Sequence, residues 1–275
     1  MDEARQNKLF CFDIETVIDI ETAKRHLSLP DSTPDSDVEQ ALIRYHLNLT
    51  DGKNSFFRQP FWKVVCVSYL ECAISYGPEG ESYSIISVKS GGAENSGEKE
   101  IISAMFNYLN KERPRLVSFN GRTFDLPVLK YRSMLHKIPA PWFYRTGTKW
   151  SSYGNRYSLD WHCDLLDAVS DFGASARVKM SEVASLLGIS CKLDVDGSEV
   201  ATLYNKGKIK QIRQYCEQDC LCTFLIYLYF SLHQSRISQL SFDKSLESLE
   251  NYIAKQKAAG VDVGHIENFY SNLKL

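Results

Sequence analysis

Two acidic residues sit inside an apolar run near the start of the chain, Phe10-Cys11-Phe12-Asp13-Ile14-Glu15-Thr16. The run predicts a strand over 8–14, bounded by a polar head. Side chains alternate along a strand, so Asp13 and Glu15 share one face. Burying two like charges is costly, or raises a pKa, unless something positive neutralises them. A divalent cation is the simplest neutraliser, because hard cations take oxygen ligands. The pair alone also fits the solvated face of an amphipathic strand, so further acids elsewhere have to decide.

Composition narrows the class. The 275 residues are 44% hydrophobic and 24% charged, with a net charge of −2. This suits a single domain over 1–275, with a core at about 8–235, a helical insertion at 17–58 and a helical tail at 236–275. A general basic coat is excluded, and any polyanion site is local. Met1 to Arg5 is too polar for a secretory signal. No apolar run reaches the ~18 residues of a membrane span, and Phe224 to Leu232 reads as a buried helix. The eight cysteines lie mostly among apolar neighbours and read as reduced core thiols, not a disulfide scaffold. The expected setting is cytoplasmic, with no membrane.

Along the insertion, Ile20 to Leu27 and Val38 to Leu47 carry helical spacing, separated by turn residues at 31–36. Phe56, Phe57, Phe61 and Trp62 read as core packing, with a base-stacking platform as the alternative. Lys63 to Cys72 and Tyr83 to Val88 predict a hairpin around 77–80. Lys99 to Lys111 is an amphipathic helix, and Leu116 to Phe119 a short strand. Asn120-Gly121-Arg122-Thr123-Phe124-Asp125 then turns into a helix through Leu135. Asp125 lies in its first turn, where the helix dipole favours an anion.

Residues 139–157 hold six aromatics and three cations, a mixture suited to stacking and phosphate contact on a single strand. A surface hairpin is the plainer reading. Tyr157 to Trp161 predicts a strand and His162 to Val169 a helix. His162 and Asp164 read as capping or supporting residues before metal ligands. Met180 to Leu187 is a helix closed by Gly188. Asp194, Asp196 and Gly197 lack the further acids of a calcium loop, while Lys192 is placed to reach a phosphate. Lys208 to about His233 is the longest helix, and it puts Tyr215 and Asp219 on one face. An acid on an otherwise apolar stripe poses the buried-carboxylate question again. Cys216, Cys220 and Cys222 lack a matching cysteine pair for a zinc site and read as core.

Asp13, Glu15, Asp125 and Asp219 thus stand out, with Tyr215 beside the last. Oxygen ligands dispersed in sequence and convergent in an α/β fold suit two Mg²⁺ or Mn²⁺ ions about 4 Å apart.

Phe-Asp-Ile-Glu-Thr (12–16), Asn-Gly-x-x-Phe-Asp (120–125) and Tyr-x-x-x-Asp (215–219) resemble, in that order, the three motifs of the DEDDy 3′–5′ exonucleases. His-x-Asp-Leu (162–165), Gly-Ile-x-x-Lys (188–192), Asp-Gly (196–197) and Tyr-Cys-Glu-x-Asp (215–219) are similar to the group related to the proofreading domain of family B DNA polymerases. The resemblance covers roughly residues 8–230, and no polymerase domain is expected in a chain of this length. It implies a ribonuclease H-like fold: a mixed five-stranded sheet flanked by helices, its first three strands antiparallel. It implies two divalent cations held by Asp13, Glu15, Asp125 and Asp219. Tyr215 would orient the attacking water, and Thr16, Asn120 and Phe124 would flank the terminal nucleotide. The expected activity is 3′–5′ hydrolysis of single-stranded DNA to nucleoside 5′-monophosphates. RNA as substrate, or a silent nucleic-acid-binding module, are the alternatives.

Overall fold

The computed structural model describes residues 6–191 and 197–273. The elements run β1 (Lys8–Ile18), α1 (Ile20–Leu27), α2 (Asp35–Leu49), β2 (Trp62–Gly77), β3 (Gly80–Ser90), α3 (Glu98–Glu112), β4 (Arg115–Ser118) and α4 (Asp125–Leu135). They continue with α5 (Pro141–Tyr144), β5 (His162–Asp164), α6 (Leu165–Val169), α7 (Met180–Leu186), α8 (Gly197–Asn205), α9 (Ile209–His233), α10 (Gln239–Ala258) and α11 (Gly264–Ser271). The five strands form one sheet in the order β3-β2-β1-β4-β5. β1, β2 and β3 pair antiparallel, while β4 joins β1 in parallel and β5 joins β4 in parallel.

β1 explains why the sheet is covered on both faces. Leu9 and Cys11 pack into one core with Leu221, Phe224 and Leu225 of α9 and with Phe242 and Leu249 of α10. The alternate residues Phe10, Phe12 and Ile14 pack into a second core with α3, α4 and α5. A strand buried on both faces loses the polar half of its alternation, which is why only two acids interrupt this run.

Some boundaries differ from those expected. β1 extends to Ile18, so the inserted helices occupy the stretch from Asp19, not from residue 17. The strand placed at 157–161 is instead the three-residue β5 at His162–Asp164, and the preceding residues form turns. The reason is the sheet: β5 pairs only where β4 is extended, at Leu116 to Ser118. Cys191 and Cys222 form a disulfide, which corrects the expectation of reduced thiols throughout. Their Cα atoms stand 6.2 Å apart although 31 residues separate them, a proximity that spacing alone does not reveal.

The insertion builds its own small core from Ala23, Val38, Leu42, Phe57 and Phe61. The tail also has a structural task. β3 is an edge strand, and α10 lies along it. Ser245 and Ser248 accept the N–H groups of Tyr83 and Ile85, and the Tyr252 hydroxyl accepts that of Val88 at 3.0 Å. Covering an edge in this way removes a template for intermolecular pairing. Among the described residues, no helix is long and apolar enough to cross a membrane.

Candidate metal and nucleic-acid site

Because Leu9 and Cys11 face α9, so do Asp13 and Glu15 further along the same strand. The opposing segment of α9 carries Tyr215, Cys216 and Asp219. β4 pairs with β1 only from Leu9 to Cys11, so the β1 edge is open from Phe12 onwards. The start of α4 fills that gap: the Ile14 N–H donates to Asp125 Oδ1 at 3.2 Å. The register of β1 against β2 shifts between Glu15 and Thr16, a bulge that turns the strand just past the two acids.

The turn before Asp125 is held from outside the motif. Asp164 accepts the N–H groups of Asn120 at 2.9 Å and Arg122 at 2.8 Å, and caps α6 by accepting that of Leu166. Asn120 adopts φ 70°, a left-handed conformation that Asn tolerates better than most residues. Gly121 is required by space, because a Cβ there would lie 2.5 Å from Ser118 Oγ. His162 hydrogen-bonds the same Ser118 at 2.8 Å, and burial holds its imidazole well below its usual pKa, hence neutral. Asp164 and His162 therefore support the turn.

Glu15, Asp125 and Asp219 are buried and Asp13 half-buried. Desolvation pushes all four carboxyls up, and their mutual repulsion adds to this at Asp13, Glu15 and Asp125. Asp125 and Asp219 each rise to about 7. The charged forms gain only hydrogen bonds: Cys216 at Asp13, Tyr215 at Asp219, backbone N–H groups at Asp125. Burial and then the Asp219 charge push the Tyr215 phenol up, so it remains a donor. Among the described residues, no Lys or Arg forms an ion pair with any of the four acids. An oxygen-rich, anionic, cation-free cluster is the donor set a hard divalent cation takes.

The expected substrate residues divide. Thr16 lies half-exposed after the bulge. The Asn120 side-chain carbonyl accepts from Thr123 and, at 2.7 Å, from Arg177. Phe124 meets Trp62 and Phe56 at ring-centroid distances of 5.9 and 5.8 Å. Phe57 and Phe61 of the same aromatic group are core, whereas Phe56 is 56% exposed. Lys192, Asp194 and Asp196 lie outside the described residues. The 139–157 stretch also divides: Trp142 and Tyr153 are core and Arg156 pairs with Asp167, while Tyr144, Trp150 and Tyr157 are exposed. The binding reading is thereby corrected for the first three, which the fold uses for packing and pairing.

Sequence reasoning missed two neighbours of the acids. Cys216 Sγ lies 3.5 Å from Asp13 Oδ2. Cys66, opposite Glu15 in the β1–β2 ladder, packs in one cluster with Cys216, and the neighbouring Cys216 thiol and Ser68 hydroxyl hold its own thiol below the usual range against the opposing effect of burial. No spacing signal joins residues 66 and 216.

This mixed five-stranded sheet flanked by helices is consistent with an α/β fold of the ribonuclease H-like class. Residues 54–273 match the family described as predicted 3′–5′ exonucleases related to the exonuclease domain of PolB, and the chain belongs to that family. The activity that describes this family is 3′–5′ exonuclease activity. Exonuclease domains of this kind use divalent metals. The DNA polymerase of Orgyia pseudotsugata multicapsid polyhedrosis virus is 24% identical over 249 residues, covering 83% of this chain and 22% of the polymerase. That of Bombyx mori nuclear polyhedrosis virus is 24% identical over 159 residues, 52% of this chain and 16% of the polymerase. The chain thus spans only 16% and 22% of the length of these relatives.

Proposed function

We propose that the protein hydrolyses single-stranded DNA from its 3′ end to nucleoside 5′-monophosphates, with Asp13, Glu15, Asp125 and Asp219 holding two Mg²⁺ or Mn²⁺ ions. The observation that carries this is the close pair Asp13 and Glu15, with the Asp125 and Asp219 carboxyls near enough to repel them and no Lys or Arg ion-paired to any of the four among the described residues. DNA is preferred to RNA because the similar proteins named above are DNA polymerases.

When bound, the cations supply Lewis acidity at the scissile phosphate and neutralise charge on the leaving oxygen. The chain supplies position. Tyr215 carries a protonated hydroxyl on the same helix face as Asp219, placed to hold the attacking water by hydrogen bonding, with Glu15 as the second contact. Asp125 is held against β1 by the Ile14 N–H, so its carboxylate has one orientation. Thr16 and Asn120 flank the terminal nucleotide. Phe124, backed by Trp62 and Phe56, offers an aromatic surface for a base. Lys192 contributes a phosphate contact in this reading.

The test uses 5′-labelled DNA and RNA of one sequence, with Mg²⁺, Mn²⁺ or EDTA, beside Asp13→Asn. A ladder shortening from the 3′ end, dependent on metal and lost in the variant, is expected, with DNA the faster. Faster cleavage of RNA overturns the substrate assignment. Equal cleavage by Asp13→Asn overturns the site.

A further inference from the structure

Asp13 and Glu15 have sulfur neighbours that hard-cation chemistry does not call for. One ligand atom each from Asp13, Glu15 and Cys216 lie within 4.8 Å of one another. Cys66, outside that group of three, stands opposite Glu15 across the β1–β2 ladder and packs in one buried cluster with Cys216. Three elements, β1, β2 and α9, therefore bring two sulfurs and two carboxylates to one place. Mg²⁺ and Mn²⁺ prefer oxygen, whereas thiolate sulfur favours softer ions, and mixed sulfur and oxygen donors in four-fold coordination suit zinc.

We infer that Asp13, Glu15, Cys66 and Cys216 form a site for a thiophilic divalent cation of the Zn²⁺ type, overlapping the hard-cation site and excluding its ions. The inference rests on the reading that Asp13 and Glu15 hold a divalent cation, and adds a second donor set to it. Asp13 and Glu15 are shared, so the two kinds of ion compete. Zinc is then an inhibitor that leaves the fold intact. Its binding forms metal–sulfur bonds and releases the thiol protons to solvent. The alternative for the two thiols is packing alone, since both lie in an apolar cluster with Val17, Val65, Val200 and Ile212. Packing predicts no metal–sulfur bond.

Co²⁺, a spectroscopic stand-in for Zn²⁺, separates the two. The full chain, kept reduced, is titrated with Co²⁺ while Mg²⁺-supported cleavage is followed on the same preparation. The expected result is a near-ultraviolet thiolate-to-cobalt charge-transfer band, bleached by equimolar Zn²⁺. Cys66→Ser and Cys216→Ser each lose intensity and weaken Zn²⁺ binding by about tenfold or more. Zn²⁺ also stops Mg²⁺-supported cleavage, and chelation followed by excess Mg²⁺ restores it. Should the variants not fold, mass spectrometry of the wild type decides: Zn²⁺ is expected to protect Cys66 and Cys216 from alkylation. Co²⁺ binding without the band, or a band that persists in the Cys66→Ser/Cys216→Ser double variant, overturns the inference. Intact Mg²⁺-dependent cleavage in that case leaves the exonuclease site standing. If neither Co²⁺ nor Mg²⁺ binds, both readings fall together.

Discussion

The Ile14 N–H donates to Asp125 Oδ1 at 3.2 Å, joining residues 111 positions apart. β4 ends its pairing at Cys11, so this donor has no strand partner and the carboxylate takes its place. Asp125→Asn keeps an acceptor for Ile14 but removes a negative charge from the cluster. Cleavage is expected to fall about 100-fold or more, by analogy with losing one preorganised electrostatic contact. Thermal stability in EDTA is expected to rise, because like charges no longer face one another. Steady-state rates and thermal melts check both halves, and a metal-free protein made less stable by the change contradicts the account.

The carboxyls give the metal-free protein a particular pH dependence. Asp125 and Asp219 rise to about 7 in the fold, against about 4 in the unfolded chain. A raised folded pKa means that the folded state binds more protons between those values, so stability falls as pH rises. The contribution is fully present below about pH 4 and lost as pH passes 7. Melting in EDTA is therefore expected at a lower temperature at pH 7.5 than at pH 5.5. Mg²⁺ should shrink the difference, since a bound cation favours the charged forms. A melting temperature indifferent to metal across this window counts against the cluster.

Gly121→Ala tests the turn without touching an acid. The new Cβ would lie 2.5 Å from Ser118 Oγ and 2.7 Å from Ser118 Cβ, inside β4. Overpacking of this kind costs about 1–3 kcal/mol. Because the displaced segment leads directly to Asp125, cleavage is expected to drop by more than the loss of folded protein accounts for. Activity per folded molecule, from circular dichroism and rate on one sample, is the measurement.

Tyr215→Phe removes a hydroxyl that favours the charged form of Asp219. With positioning of the water as its task, kcat is expected to fall by roughly 100-fold, at the lower end of such effects, with little change in KM. A rise in KM alone would place the ring in substrate binding instead.

Tyr252→Phe addresses the tail. The Tyr252 hydroxyl accepts the Val88 N–H at 3.0 Å and donates to the Val88 carbonyl at 3.2 Å. Losing both leaves buried backbone groups unpaired on an edge strand, a cost of about 1–3 kcal/mol. Lower stability and faster aggregation on warming are expected, with cleavage at low temperature unaltered. Light scattering alongside the melt separates this from a site effect.

Local chemistry made most of the elements legible. The strand around Asp13, the hairpin at 62–90, the helices of the insertion and tail, and the long helix through Asp219 follow from periodicity, turn residues and caps within a few positions. Asp13, Glu15 and Asp219 stand out for a related reason, since a carboxylate on an apolar stripe is anomalous wherever the stripe packs, whereas Asp125, an acid at a helix start, does not stand out by itself. Contacts between distant segments were not. Nothing in the spacing unites Cys66 with Cys216 or Cys191 with Cys222, or gives Asp164 the turn at Asn120. Nor does the sequence divide the 139–157 aromatics into the buried Trp142 and Tyr153 and the exposed Tyr144, Trp150 and Tyr157. Periodicity reports which face of an element is apolar, but the partner of that face is set by sheet order and by where each strand stops pairing. The end of β4 pairing at Cys11 leaves the β1 edge open to Asp125, and the packing of α9 on the Leu9–Cys11 face brings Asp219 beside Asp13 and Glu15.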